Sequence, residues 1–260
     1  MWYYHRGTEP DKKQFPAGFR MVAGSDTRST MGSTPADQAI SYYCMANVEP
    51  SNPVTYELPM RQCDKGILMH IVFPSCWDGN VTDPNFMDHV SYPVGTPEGG
   101  SCPSTHPSRL ITLKFEQHLH TERFEYYDGG FVLSTGDNVG YSNYGGFTNG
   151  WDASENSLLQ QAINACTDPA DSMSNCSVLR SLANSDSLLC RPESQIPVED
   201  VGLYDPLKKL PGDNPIWGGN ITKVPTAVSD GPPFGSPYST LLSNWVEHGC
   251  IDEGAPSSSF

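Results

Sequence analysis

Positive charge is scarce in this sequence: 15 Lys and Arg stand against 30 Asp and Glu, for a formal net charge of −15. With no basic patch to neutralise phosphates, a nucleic-acid partner is excluded. Anchoring to an anionic membrane surface is excluded for the same reason. Long apolar runs are missing too, and none approaches the ~18–20 residues that cross a bilayer, so no membrane insertion is expected. No C-x-x-C pair occurs, which argues against zinc ribbons and thioredoxin-like redox sites. There is no G-x-S-x-G, H-E-x-x-H or P-loop pattern either, and serine hydrolase, zincin and nucleotide chemistry have no support. We expect no cofactor.

What the chain has in abundance is glycine and proline, 24 and 23 residues, so turns are frequent and long helices few. At 260 residues one large β domain is ordinary, and we place it at 1–254, with 255–260 as the start of a linker. Its eight cysteines are even in number and widely spaced, which predicts four disulfides and an oxidising compartment. Eight cysteines allow 105 pairings; we expect Cys76–Cys102, Cys166–Cys176 and Cys44–Cys63, leaving Cys190–Cys250. Three sequons, at Asn80, Asn175 and Asn220, fit a secreted glycoprotein. No signal peptide opens the chain at Met1, so a mature form or a fragment is expected, and the cysteines favour a fragment.

Alternation of apolar residues predicts strands at Trp2 to Tyr4, Phe19 to Ala23, Ile40 to Met45, Ile67 to Phe73, Val90 to Tyr92 and Leu110 to Phe115. A hairpin is predicted for Arg123 to Tyr127 and Phe131 to Leu133 about Asp128-Gly129-Gly130. Ser134 to Trp151 has too many glycines for a regular strand; its rings either stack on a ligand or fill the core. One helix is expected from Ser154 to Ala165, capped by Ser154 or Asn156, with Leu158, Leu159, Ala162 and Ile163 on its apolar stripe. Shorter helical segments are expected at Ser177 to Leu182 and Tyr238 to Val246.

The chain is organised around His70 to Pro93, where a strand gives way to Ser75-Cys76-Trp77-Asp78-Gly79 and then to Asp88-His89 before a second strand. Such loops carry binding groups in β proteins. Asp78 and Asp137, with His89, could supply the paired carboxylates and the imidazole of a glycosidase, although a lone Asp in a turn is most often an Asx-turn. An imidazole before a strand is more often structural than a base. His89 and His106 match no metal-ligand template. His118-x-His120 would put two rings on one strand face, compatible with a metal or with a solvated face.

Several phrases taken in order resemble the DUF1996 family of secreted fungal and bacterial proteins, often attached to carbohydrate-binding or WSC modules. They are Phe15-Pro16-x-Gly18-Phe19-Arg20-Met21-x-Ala23-Gly24, Cys63-Asp64-x-Gly66-Ile67, Phe73-Pro74-Ser75-Cys76-Trp77-Asp78-Gly79 and Asp88-His89-Val90-x-Tyr92-Pro93. Cys102-Pro103-x-x-His106-Pro107, Gly140-Tyr141, Phe147-x-Asn149-Gly150-Trp151 and Leu210-Pro211-Gly212-x-Asn214-Pro215 complete the set. The resemblance implies extracellular, polysaccharide-associated work and no defined reaction. Two features depart from it. The family's early Ser-x-His-x-His segment is missing, and its G-Y-x-x-H-G-D-F loop reads here with Tyr144 and Gly146 in place of the imidazole and the carboxylate.

Sugars lay their C–H faces on aromatic rings while nearby acids and amides take the hydroxyls. Trp77, Asp88, Tyr92, Tyr141, Tyr144, Trp151 and Asp152 form the candidate binding set, with Trp77–Asp78 and Trp151–Asp152 as ring–acid neighbours. The expected fold is all-β, a jelly-roll-like antiparallel sandwich with one packed helix and disulfide-stapled loops. The expected function is a secreted glycoprotein bound to extracellular polysaccharide, a cell wall or a glycan-coated filament, without turnover. A glycoside hydrolase or lyase and a fibre-decorating structural subunit are the alternatives.

Overall fold

The computed structural model describes residues 1–46, 53–81, 83–123, 130–167, 176–179 and 207–223. Cys190, Cys250, Asn175, the Tyr238 to Val246 segment, the first arm of the predicted hairpin beyond Arg123 and the 255–260 tail lie outside these residues.

The longest strands, β4 (Ile67–Val72) and β8 (Thr112–Leu119), are those with the clearest alternation. They pair antiparallel at the centre of a four-stranded sheet ordered β1-β8-β4-β3, with β1 spanning Trp2–Tyr4 and β3 spanning Ile40–Cys44. Cross-strand partners share a face, so the register fixes what each side presents. Tyr3, Leu113, Ile71, Met69, Ile67, Ile40 and Tyr42 point inward. Trp2, Tyr4, Lys114, Glu116, His70, His118 and Tyr43 point outward. β8 therefore runs four residues further than Leu110 to Phe115 suggested, because β4 gives it partners out to Leu119.

A two-stranded ribbon covers the inner face. β2 (Arg20–Gly24) pairs with β9 (Tyr144–Thr148), Met21 opposite Phe147 and Ala23 opposite Gly145. That β9 is a regular strand corrects the expectation from its glycine content. A Cβ at Gly145 would meet Ile71 Cδ1 and Phe73 Cζ at 3.2 Å, so the missing side chain is what lets the ribbon seat on the sheet. Phe15, Phe19, Phe73 and Phe147 complete this core with contacting rings.

Past Phe73 the chain enters a small third sheet, β6-β5-β7, formed by Val90–Ser91, Cys76–Trp77 and Ser108–Arg109. The fold is thus all-β and sandwich-like, and the described strands pair antiparallel. Phe131 to Leu133 is not a strand; Phe131 and Leu133 instead pack their side chains on the core. The helix α1 is shorter than predicted, Leu158–Ala165, because Ser157 and not Ser154 or Asn156 caps it, accepting from the amide of Gln160. Leu159, Ala162 and Ile163 are its buried stripe. Three disulfides join Cys44–Cys63, Cys76–Cys102 and Cys166–Cys176, as expected.

Candidate functional site

The structure brings Trp77, Asp78, Asp88, His89 and His106 together around β5 and β6. The loop from Asp83 to His89 is wound about one carboxylate. Asp83 accepts from the amides of Asn85, Met87 and Asp88 at 2.7–3.0 Å and from His89 Nδ1 at 3.0 Å. His89 is only 2 % exposed, its ring edge-on to Phe19 at 5.0 Å. It is a positioned core histidine. The His89 hydrogen bond first, then the three amides, hold the Asp83 carboxyl well below the ordinary carboxylate range against the opposing effect of burial. A depressed carboxyl contributes stability that is present above its unfolded value of about 3.9 and is lost as pH falls toward the folded one. We therefore expect Asp83→Asn to be less stable than wild type at pH 7, with the gap closing as pH drops from about 5 toward 2. Urea melts across that range check this, and a gap independent of pH would contradict it.

Asp78 forms an Asx-turn. Its oxygens accept from the amide of Asn80 at 2.7 Å and from its side chain at 2.9 Å, while the Asn80 carbonyl takes the Trp77 indole N–H at 2.6 Å. Burial raises the Asp78 carboxyl; the Asn80 bonds, with smaller help from His106 and His89, outweigh it and leave a lowered value. Trp77 is half-buried, edge-on to Phe19. Asp88 is exposed and its carbonyl meets His106 Nε2 at 3.0 Å. The Tyr92 hydroxyl turns inward to the Val72 carbonyl. The sequon residue Asn80 is exposed, with its side-chain amide engaged by Asp78; Asn220 is exposed in the turn at Gly218 to Ile221.

The remaining candidates stand elsewhere. Asp137 is 1 % exposed, and its carboxylate accepts from the amides of Val139, Gly140 and Ser142 at 2.8, 3.0 and 2.8 Å. Its neighbours are Tyr42, whose hydroxyl donates to the Gly140 carbonyl, and Trp217, with which it forms a bridge. Tyr141 is 6 % exposed and donates to Glu57; burial and then that carboxylate push its hydroxyl up to about 12. Trp151 is half-buried, its indole N–H on the Tyr3 hydroxyl at 2.9 Å. Asp152 makes an Asx-turn with Ser154 before the helix. Tyr144, 53 % exposed, lies opposite Gly24, at the far end of the ribbon from Phe19 and hence from Trp77. From Gly24 back to Phe19 is five residues, roughly 16 Å at ~3.3 Å per residue. Tyr144 and Gly146 share the outer side of β9, and a Cβ at Gly146 would meet nothing within 4 Å.

The outer face of the four-stranded sheet carries a surface that residue-by-residue reading missed. Trp2, 44 % exposed, and Tyr4 lie two residues apart on the edge strand, with ring centroids 6.2 Å apart and planes 25° from parallel. Lys114 Nζ lies 5.1 Å and the Arg6 guanidinium 5.3 Å from the Tyr4 ring centroid. Glu98 and Glu116 pair with these cations, Lys114 reaching Glu116 at 2.9 Å and Arg6 reaching Glu98 at 3.6 Å. His70 meets Glu116 from β4 at 3.3 Å. The two cations lie over the Tyr4 ring, so the exposed aromatic surface is that of Trp2, with hydrogen-bond donors and acceptors of balanced charge beside it. The sequence signal was the i, i+2 aromatic pair; what it lacked was the partner strand β8, more than a hundred residues away.

No described helix is long and apolar enough to cross a membrane. A model of the family described as "Domain of unknown function (DUF1996)" matches residues 1–151. Neither the curated proteins nor the solved structures yield a match.

Proposed function

We propose, on the premise that this chain belongs to the DUF1996 family, that it is a secreted glycoprotein which attaches to extracellular polysaccharide without turning it over. The polysaccharide belongs to a cell wall or to a glycan-coated surface filament. The exposed Trp2 ring, stacked against Tyr4 at the sheet edge with charged groups beside it, carries this reading, because an exposed aromatic face with polar neighbours is what a sugar ring packs against. The half-buried Trp77, beside Asp78 and Asn80, offers a second and smaller contact.

Turnover has little to work with. A glycosidase sets two carboxyls about 5–10 Å apart across the scissile bond. Of the two expected, Asp137 is sealed in the interior with its oxygens on backbone amides, and Asp78 is engaged by Asn80 among other neighbours. The three described disulfides support export to an oxidising compartment.

Incubation of the full chain with insoluble glucans, chitin and wall extracts tests the reading. We expect the protein to be retained in at least one pellet with no release of reducing ends. Release that is abolished by Asp78→Asn would replace it with the hydrolase alternative.

A further inference from the structure

At the end of β8 opposite the turn before β4, three side chains that ligate metals converge. His118 closes the outward row of β8, His120 follows the strand, and Glu122 is presented by the 3-10 turn Thr121–Arg123. The two imidazole rings lie side by side, centroids 4.0 Å apart, and His120 Nδ1 is 2.8 Å from Glu122 Oε1. One donor atom from each residue lies within 4.8 Å of the other two. A tetrahedral zinc with bonds of about 2.0–2.2 Å holds its donors about 3.3 Å apart, so closing on an ion needs side-chain rotation on the order of 1 Å.

We propose that His118, His120 and Glu122 form a three-ligand site for a divalent ion of the zinc and copper class. Two imidazoles and one carboxylate are a borderline donor set, which selects such ions over calcium or magnesium with their all-oxygen shells. Three protein ligands leave a coordination position open to solvent. This inference is independent of the polysaccharide reading.

Two features of the surroundings point the same way. Glu122 Oε2 is shielded from solvent and has no hydrogen-bond partner among the described residues, so one carboxylate oxygen is desolvated without compensation. The floor of the cluster is Gly66, at φ +85°, where a Cβ would fall 2.6 Å from Glu122 Oε2 and 2.9 Å from His118 Nε2. The glycine keeps backbone and ligands in close approach. The surrounding frame is rigid. The Lys65 carbonyl fixes the His118 ring at 2.8 Å, the Lys65 amide donates to the Met45 carbonyl and the Met45 amide to the Gly66 carbonyl, and Cys44–Cys63 staples the base of this turn. Anchored ligands of this kind are what metal sites require beyond the ligands themselves.

The site lies on the same sheet face as the Trp2–Tyr4 pair, four residues along β8 from the Trp2 partner Lys114. That is roughly 13 Å at ~3.3 Å per residue.

Titration of the metal-free full chain with Zn2+ against a chelating dye tests the proposal. We expect one ion per chain at micromolar affinity, unaffected by millimolar Ca2+ or Mg2+. Loading with Co2+ is expected to give the visible absorption of a low-coordinate site. His118→Ala, His120→Ala and Glu122→Gln should each weaken Zn2+ binding at least tenfold, whereas His106→Ala should not. Circular dichroism of each variant confirms the fold, which these surface changes leave in place. Wild-type affinity in the His118→Ala/His120→Ala double variant, or no stoichiometric binding to the wild type, would overturn the proposal.

Discussion

Asp137→Ala is expected to lose on the order of 3–9 kcal/mol of folding stability, because three amides that the carboxylate now receives are left without an acceptor at about 1–3 kcal/mol each. Two of the three, Gly140 and Ser142, are buried. Gly140 sits at φ +99°, with Leu58 and the Tyr42 hydroxyl within 3 Å of where a Cβ would stand, so the backbone is already in close contact with the sheet. The amide of Leu58 donates to the Val139 carbonyl and that of Asn138 to the Trp217 carbonyl, so collapse of the loop would release both segments. A loss of that size is a large fraction of the ~5–15 kcal/mol that keeps a domain folded. In a chain of this length it lowers Tm by roughly 10 °C or more. Asp137→Asn, which keeps one acceptor oxygen and loses the charge, should fall between the two. Urea unfolding of both variants checks this. A wild-type midpoint for Asp137→Asn would mean that the residue is free for chemistry, as the glycosidase alternative requires.

The second large effect concerns Cys76–Cys102. Replacing both cysteines is expected to cost about 3.5 kcal/mol, the chain-entropy value for closing a loop of this size, whose cysteines are 26 residues apart. The bond ties β5, which carries Trp77, to the segment entering β7, and the Arg109 guanidinium is packed inside the loop it closes. Arg109 is fully buried, with Nη1 on the Gly100 carbonyl and 3.8 Å from Glu9, and Gly7 passes so close that any side chain there would collide with it. A buried cation tolerates loosening badly. We therefore expect the double variant to lose the Trp77 environment before the four-stranded sheet. Trp fluorescence and far-UV circular dichroism followed in one urea titration would show two separated transitions. Coincident transitions at the wild-type midpoint would contradict this.

Much of the frame was legible because it depends on local patterns. Alternation in Ile67 to Val72 marked β4, and each described disulfide joins cysteines close in sequence, the order in which they were paired. What was misread depended on partners distant in the chain. Gly145 looked like a breaker because the side chains that use the space it leaves, Ile71 and Phe73, are more than seventy residues earlier. Asp137 read as a candidate acid because an Asp followed by amides at i+2, i+3 and i+5 is indistinguishable in sequence from a solvent-facing one. His89 follows Asp88 in the chain, yet its carboxylate partner is Asp83, reached only when the loop closes on that carboxylate. The His118-x-His120 pair was visible on one face; the third ligand, Glu122, needed the turn that follows the strand.

Depletion binding to the retained polysaccharide, comparing wild type with Trp2→Ala/Tyr4→Ala and with Trp77→Ala, tests the account most directly. Fully burying a large apolar side chain is worth about 1.5–3 kcal/mol, so loss of the two rings from a stacked contact is expected to weaken binding at least tenfold. Trp2 is exposed and Tyr4 half-buried on the outer face of the edge strand, so the double variant should keep its fold. Trp77→Ala is expected to have the smaller effect. Binding by Trp2→Ala/Tyr4→Ala equal to that of the wild type would contradict the claim that the outer sheet face holds the glycan.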